Sequence, residues 1–141
     1  MDLSQDPVFL INKLAHTMSN ELERRLRVYD VTTSQWKVLR LLGEQEGRSQ
    51  VEIQEMLGLE GATVTGILQR MVRQGLAQRR IDPLDKRVQR VYLTEHSRAL
   101  TLILDSVLGE VSAMALKGFT SDEQAFFLSL LSRAQHNCAE Q

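Results

Sequence analysis

The amino-acid sequence predicts a mainly α-helical protein with one small β-hairpin. Apolar residues recur at three- and four-residue spacing, the period of a helix, along most of the 141 residues. The chain has only two prolines, and aromatic residues make up 5% of it, which favours a helical body. Two short strand-like runs, residues 76–81 and 88–93, flank the sequence DPLDKR, whose proline and aspartates favour a turn. These three observations together indicate one domain with a helical body and a hairpin.

The first helix is predicted from about Pro7 to about Tyr29. Proline suits the first turn of a helix, and apolar residues keep helical spacing after it. These residues are Ile11, Leu14, Ala15, Met18, Leu22 and Leu26. Thr32 with Gln35 is a capping-box pattern, in which the hydroxyl accepts a backbone N–H and the amide returns to the cap. A second helix with a broad apolar face therefore begins there.

Two short helices joined by a tight turn are predicted next. Ser49 with Glu52 is another capping-box pattern, and Gly58 can adopt the left-handed conformation that ends a helix. From Ala62 an apolar stripe repeats at helical spacing until Gly75 ends the second of these helices. The two helices and the hairpin after them have the pattern of a winged helix-turn-helix. We expect this lobe over about residues 32–93.

Long helices are predicted at both ends of the chain, over about residues 7–29 and 95–138. Gly118 interrupts the second region, and Thr120 with Glu123 forms a third capping-box pattern after it. The apolar stripes of these helices offer more surface than one small lobe can cover. The sequence therefore predicts dimerisation helices, which pair with the same elements of a second copy in a two-fold symmetric homodimer.

The charge distribution predicts a nucleic-acid partner. Residues 69–90 contain seven basic and two acidic residues, a charge of +5, whereas the rest of the chain carries a charge of −6. The overall charge of −1 is therefore the sum of one basic segment and an acidic body. Such a segment is the feature expected of a surface that contacts DNA phosphates.

The second short helix has the layout of a recognition helix in the major groove of double-stranded DNA. Short polar side chains and amides read base edges there, and arginines contact phosphates or guanines. Thr65, Gln69 and Arg73 are four residues apart and share a face. The residues predicted to lie in the major groove are Thr63, Thr65, Gly66, Gln69 and Arg70, whereas Arg73 and Lys86 are predicted to contact phosphates. Arg70 and Arg73 could instead be ordinary solvated helix residues.

The run ATVTGILQRMVRQGLAQRRIDPLDKRVQRVYLTE resembles the recognition helix and wing of the MarR/SlyA family of bacterial transcriptional regulators. Asp85 and Arg87 followed by LTE are the most specific part, and TTSQWKVLRLL and LSRAQHN extend the similarity to nearly the whole chain. The resemblance implies a homodimer on a pseudo-palindromic, A·T-containing operator. It also implies that Arg87 enters the minor groove, although this side chain could simply pair with Asp85. Gly66 departs from the family, because many relatives carry arginine there, so the preferred operator is expected to differ.

The resemblance further implies an effector site beside His16 and Trp36. The matching positions in SlyA-like proteins lie near a pocket between the dimer helices and the DNA-binding lobe, where small aromatic or anionic effectors bind. The alternative is that Trp36 packs in the core and His16 is an ordinary helix residue. Cys138 presents a similar choice between redox sensing and the role of a small apolar residue in a terminal helix.

Other function classes receive little support from the sequence. A single cysteine excludes an intrachain disulfide and a cysteine-based metal site. We expect no enzyme, cofactor or metal, because there is no glycine-rich phosphate loop, no pair of histidines at ligand spacing and no nucleophile beside a base. No apolar run is long enough to span a membrane, so we expect a cytoplasmic protein without a membrane partner. The remaining alternative is a winged-helix dimerisation or protein-interaction module without specific DNA binding.

Overall fold

Six α-helices and a three-stranded antiparallel sheet make up residues 2–140, the part of the chain that the computed structural model describes. The helices are α1 (Pro7–Leu26), α2 (Thr33–Glu44), α3 (Gln50–Leu57), α4 (Gly61–Arg73), α5 (Glu95–Ala115) and α6 (Ser121–Ala139). The strands are β1 (Arg48–Ser49), β2 (Ala77–Ile81) and β3 (Gln89–Leu93), arranged in the order β1–β3–β2. This is the predicted winged helix-turn-helix, in which α3 and α4 precede the β2–β3 hairpin.

The start of α1 follows from its capping residue, because the Asp6 carboxylate accepts the backbone N–H of Phe9 at 3.1 Å. The regular helix ends at Leu26, three residues before the predicted end. Residues Arg27–Tyr29 continue as one turn of 3₁₀ helix, which Asp30 ends in the left-handed conformation, with φ of 56°. The apolar spacing extends through this tighter turn, and it is why the sequence predicts a longer helix.

Two of the predicted capping boxes are complete in the structure. Thr32 with Gln35 begins α2, and Thr120 with Glu123 begins α6, each with both reciprocal hydrogen bonds. The box at the start of α3 is only half formed. Ser49 Oγ accepts the backbone N–H of residue 52 at 3.1 Å, but the Glu52 carboxylate lies 4.0 Å from an Arg90 nitrogen. A cation on β3 therefore competes for the carboxylate, which the local sequence does not reveal.

The hairpin strands begin and end within one residue of the predicted runs, whereas β1 was not predicted. β1 contains only two residues, too few for an alternating pattern. It pairs with β3, with Arg48 opposite Val91 and Ser49 opposite Arg90. On the other side of β3, Arg79 of β2 also lies opposite Val91. The third strand therefore connects the start of α3 directly to the wing.

The hydrophobic core lies where α2, α4 and the sheet meet the end of α1 and the inner side of α5. Its fully buried members include Leu26, Leu39, Leu42, Ile53, Leu68, Met71 and Leu104. The last helix, α6, contributes no buried residue, and the Phe126 side chain on it is 66% exposed. Within residues 2–140 no helix is both long and apolar enough to cross a membrane.

Candidate nucleic-acid interface

The helix α4 presents a polar, cationic side to solvent. Its apolar stripe, formed by Val64, Ile67, Leu68 and Met71, is buried in the core. Because these residues recur at three- and four-residue spacing, the other side of the helix remains outside. The exposed residues there include Thr63, Gln69, Arg70 and Arg73, all of which were predicted to contact DNA. None of the four donates or accepts a side-chain hydrogen bond within residues 2–140.

Thr65 and Gly66 differ from these four, because both are half-buried. The Thr65 hydroxyl accepts a hydrogen bond from Gln50 Nε2 at 2.7 Å, and its carbonyl oxygen accepts one from Arg79 Nη2 at 3.3 Å. At Gly66, a Cβ atom would meet no side chain or neighbouring backbone within 4 Å. The glycine therefore leaves open space on this part of α4 and is not required by packing.

The turn of the wing is organised by two aspartates. Asp82 accepts the backbone N–H of Leu84 at 2.8 Å and the Nε of Arg90 at 2.8 Å, and these bonds lower its pKa in that order of effect. Asp85 accepts from Arg87 Nε at 3.0 Å, and this bond is the main reason that the pKa of Asp85 is lowered. Both carboxylates therefore remain charged at neutral pH and fix the shape of the turn.

The tip of the wing carries two exposed cations, as the sequence predicted. Lys86 is exposed, and the Arg87 side chain is 91% exposed although it pairs with Asp85. Such a pair in high-dielectric solvent contributes little to stability. Arg87 can therefore exchange Asp85 for a stronger anionic partner at small cost.

The other cations of the basic segment have structural contacts. Arg80 lies over the Tyr92 ring at 4.4 Å, and Arg90 donates to Asp82 and to the carbonyl of Gly47, each at 2.8 Å. Arg79 is half-buried, and its Nε has no hydrogen-bond partner among residues 2–140. The basic segment therefore divides into two groups of cations. Arg79, Arg80 and Arg90 contact α4, Tyr92 and the Asp82 and Gly47 region, respectively. The other four, Arg70, Arg73, Lys86 and Arg87, are exposed on α4 and at the wing tip.

The candidate interface also includes residues of α3 that were not predicted from the sequence. A cleft of about 390 Å³ separates the start of α3 from the wing. Its lining is Ser49, Gln50, Val51, Gln54, Arg87, Val88 and Gln89. Three of these side chains are amides, and Arg87 supplies the one charge. Only the tertiary arrangement brings α3 beside the wing, so helical spacing alone could not have identified the amides.

His16 and Trp36 do not meet in a common cleft. His16 is exposed on α1, and its ring nitrogen lies 3.2 Å from the amide nitrogen of Asn20. Trp36 is half-buried against the core, with a buried indole N–H that has no acceptor among residues 2–140. Neither residue lines the cleft beside the wing or the apolar cleft formed by residues of α1 and α6. An effector site at these residues stays a prediction.

Cys138 is exposed on α6, so in the single chain it does not have the buried role of a small apolar residue. It lies away from any group of metal-ligating side chains, because residues 2–140 contain no cluster of three or more His, Cys, Asp or Glu residues that could hold a metal ion.

Comparisons with known proteins agree with this arrangement. A sequence model of the MarR family matches residues 29–88. The chain is similar to the transcriptional regulator SlyA, with 23% identity, 96% of each chain covered and a TM-score of 0.87. It is similar to a mutant MarR from E. coli complexed with operator DNA, with 28% identity, 89% of this chain and 90% of that chain covered, and a TM-score of 0.80. The transcriptional repressor CouR, bound to a 23-mer DNA duplex, gives 22% identity, 94% coverage of each chain and a TM-score of 0.87.

Proposed function

Because the chain belongs to the MarR family of winged-helix, DNA-binding transcriptional regulators, we propose that it acts as a homodimer on a pseudo-palindromic, A·T-containing operator. The observation that carries the proposal is the exposed side of α4, where polar and cationic side chains have no partner among residues 2–140. A protein surface of this kind, next to a wing with exposed cations, suits the grooves and phosphates of a DNA duplex.

Each element has its own role in this proposal. The helix α4 enters the major groove, where Thr63, Gln69 and Arg70 meet base edges, and Thr65 and Gly66 lie on the same helix. Arg73 and Lys86 contact phosphates, which position the protein without reading sequence. Arg87 leaves Asp85 and enters the minor groove, whose negative potential is strongest over narrow A·T tracts.

The terminal helices support the homodimer. An apolar cleft of about 330 Å³ lies between α1 and α6. It is lined by Leu10, Ile11, Leu14, Ala15, Met18, Phe127 and Leu131. Exposure of this much apolar surface to water is unfavourable. Association with a second copy of the chain would bury it and requires no other partner. The symmetry would place the two α4 helices about 34 Å apart, one turn of DNA.

We also propose that a small aromatic or anionic effector binds beside His16 and Trp36. The buried indole N–H of Trp36 supports this, because it is a donor without an acceptor among residues 2–140. Such a ligand changes operator affinity only if it binds one spacing of the α4 helices better than another. Trp36 is the one tryptophan in the sequence, so its fluorescence reports binding directly. A panel of aromatic acids that changes neither the fluorescence nor the DNA affinity would remove this part of the proposal.

The experiment that tests the proposed function is selection from a random duplex pool, followed by sequencing of the bound fraction and by titration of affinity against salt. The expected result is an inverted repeat with half-sites about one turn apart. The double variant Arg70→Ala/Arg73→Ala is expected to bind weakly. Arg27→Ala, which removes an exposed cation outside the basic segment, serves as the matched control. Equal bound and input pools, with binding abolished at modest salt, would favour a protein-interaction module instead.

A further inference from the structure

We infer that Gln50 sets the hydrogen-bonding role of Thr65, so that the Thr65 hydroxyl acts as a donor toward DNA and selects a base that offers an acceptor. The inference rests on the proposed function, because it takes α4 as the recognition helix. It assigns a specificity-determining role to a residue of α3, outside the helix that enters the groove.

Thr65 is held from two sides. Its Oγ1 accepts a hydrogen bond from Gln50 Nε2 at 2.7 Å, and its carbonyl oxygen accepts one from Arg79 Nη2 at 3.3 Å. The side chain is therefore fixed by α3 and the main chain by β2. Because the residue is half-buried, part of it remains accessible to a ligand that approaches α4.

The hydroxyl hydrogen of Thr65 has no acceptor among residues 2–140. A threonine hydroxyl has one hydrogen to donate and two lone pairs with which to accept. Thr17 and Thr101, on other helices, donate that hydrogen to a backbone carbonyl oxygen at 3.0 Å and 2.7 Å. Within residues 2–140 the Thr65 hydroxyl only accepts, from Gln50. The hydrogen is thus the part of the group that remains for another molecule, and the accepted bond strengthens the one it donates.

The position of Gln50 is determined by the sheet. Gln50 is the first residue of α3 and directly follows β1, whose Ser49 lies opposite Arg90 on β3. The Ser49 side chain also caps α3, accepting the backbone N–H of Glu52. Both neighbouring contacts fix the backbone at Gln50 before any DNA is bound. The amide is therefore already placed to donate to Thr65.

The chemistry of the major groove converts this geometry into a base preference. Purine N7, guanine O6 and thymine O4 are acceptors there, whereas cytosine presents an amino donor. A hydroxyl that offers its hydrogen favours the acceptors at the base that faces Thr65. One hydrogen bond of this kind is expected to give a preference of about fivefold.

The test is selection from a random duplex pool with the 141-residue chain and four variants. Thr65→Val removes the hydroxyl at nearly constant volume, so the preference at one base pair per half-site should fall by about fivefold. Gln50→Glu replaces the amide donor with a carboxylate that takes the Thr65 hydrogen, and it should abolish the same preference. Gln54→Glu is the matched control, because it adds the same charge in the same cleft without a hydrogen bond to Thr65. It should weaken binding to all sequences while the base pattern is retained.

Thr65→Ser keeps the hydroxyl and should restore the wild-type preference, which separates the hydrogen bond from packing of the methyl group. Thermal unfolding of each variant shows which of them are folded. The inference is overturned if Thr65→Val enriches the same bases as the wild type. It is also overturned if Gln50→Glu and Gln54→Glu enrich the same bases as each other. A wild-type protein that enriches no sequence contradicts the proposed function itself, whereas an unchanged pattern in Thr65→Val contradicts only the inferred base contact of Thr65 and the role of Gln50 in it.

Discussion

At the wing tip, Arg87 pairs with a neighbouring aspartate in the free protein and would exchange it for DNA in the proposed complex. The Arg87 guanidinium donates to Asp85 Oδ1 from Nε at 3.0 Å and to Oδ2 from Nη2 at 3.3 Å. The arginine side chain is almost fully exposed, so water screens this pair strongly. A narrow minor groove over an A·T tract has an enhanced negative potential that attracts an inserted arginine. The pair therefore orients Arg87 in the free protein without preventing it from reaching DNA.

Replacement of Arg87 by alanine should reduce affinity most for operators with A·T-rich flanks. The physical reason is that a narrow A·T minor groove attracts an inserted guanidinium more strongly than a wide G·C groove does. The measurement is the ratio of affinities for two duplexes that share half-sites and differ only in their flanks. Lys86→Ala is the matched control, since a lysine that binds phosphate should matter equally on both duplexes. An equal reduction for Arg87→Ala on both flanks would show that Arg87 only binds phosphate.

Replacement of Arg73 by alanine should flatten the plot of log affinity against log salt concentration by about one unit for each phosphate that the arginine neutralises. Arg73 is exposed at the end of α4, and it has no ion pair among residues 2–140. Binding of a phosphate there releases counterions, whereas an ordinary solvated arginine releases none. Affinity titrations at several salt concentrations provide the slope. Arg27→Ala should leave it unchanged, and an unchanged slope in Arg73→Ala as well would refute the phosphate role.

Individual exposure could be predicted from the sequence better than individual contacts. Helical spacing correctly placed Thr63, Gln69 and Arg73 outside and the apolar stripe of α4 inside. The same spacing placed Thr65 on the exposed face, although it is half-buried. Helical spacing does not show which other elements of the fold pack against a residue. Gln50 and Arg79 lie 15 and 14 residues from Thr65 along the chain, so only the folding of α3 and β2 onto α4 creates these contacts.

At the scale of the element, two glycines of the helix-turn-helix can be compared, Gly58 at the end of α3 and Gly66 within α4. A Cβ atom would find open space at both Gly58 and Gly66, so packing does not distinguish them. Gly58 has φ of 65° at the end of α3, whereas Gly66 lies in the middle of α4. Backbone conformation alone therefore determines the effect of a methyl group at each.

Gly66→Ala should raise the free energy of unfolding by about 1 kcal/mol, because glycine loses more backbone entropy in a helix than alanine does. Gly58→Ala should lower it by about 1 kcal/mol, because an L-residue is strained in the left-handed conformation. Urea unfolding followed by circular dichroism measures both. Stabilisation in both variants, or in neither, would contradict this account of the two positions.

An acidic pH should weaken the contact between the winged lobe and α5. Glu46 accepts from Arg98 Nη2 at 2.9 Å and from the backbone N–H of Leu93 at 2.9 Å. The Arg98 guanidinium lowers the pKa of Glu46 below its usual 4.5. A lowered folded pKa means that the contribution to stability is complete above the unfolded value and disappears as pH falls through the folded value.

Glu46→Gln should therefore reduce stability near neutral pH and make the acid side of the stability profile less steep. The amide retains an acceptor for Leu93 and the volume of the side chain, but it lacks the charge that pairs with Arg98. Thermal unfolding between about pH 3 and about pH 7 compares the two profiles. Glu140→Gln, a substitution of an exposed residue that follows α6, controls for the removal of one acid. Parallel profiles for the wild type and Glu46→Gln would contradict this role of Glu46.

Elements with a complete local signal were predicted from the sequence, and those that depend on tertiary pairing were not. The capping residues placed the starts of α2 and α6, and the turn residues placed the hairpin. The short β1 exists only because residues 48–49 reach β3, and the Glu52 carboxylate faces Arg90 because β3 lies beside α3. Both features are contacts between segments that are distant in the sequence, so local patterns could not predict them.

At the scale of the whole molecule, the helix α6 contributes no residue to the hydrophobic core. Thr120 and Glu123 start it, and the Phe119 ring contacts Phe127 at 5.7 Å between centroids, but none of its residues is buried. Local capping of this size is small compared with the entropy of ordering a long helix. We therefore expect the proposed homodimer to stabilise this helix, because a second copy would cover its exposed apolar side chains.

Leu131→Glu should convert the proposed homodimer to a monomer, because it adds a charge to the apolar cleft between α1 and α6. Sedimentation should give a mass near 16.1 kDa for the variant and twice that for the wild type. Operator affinity should fall by more than about tenfold, since one chain occupies only one half-site. Leu84→Glu, at a wing-tip leucine that is 96% exposed, makes the same change elsewhere and should leave the mass of the dimer unchanged. A wild-type mass near that of one chain at micromolar concentration would contradict the homodimer, and the unpaired apolar surface of α6 would then need a different partner.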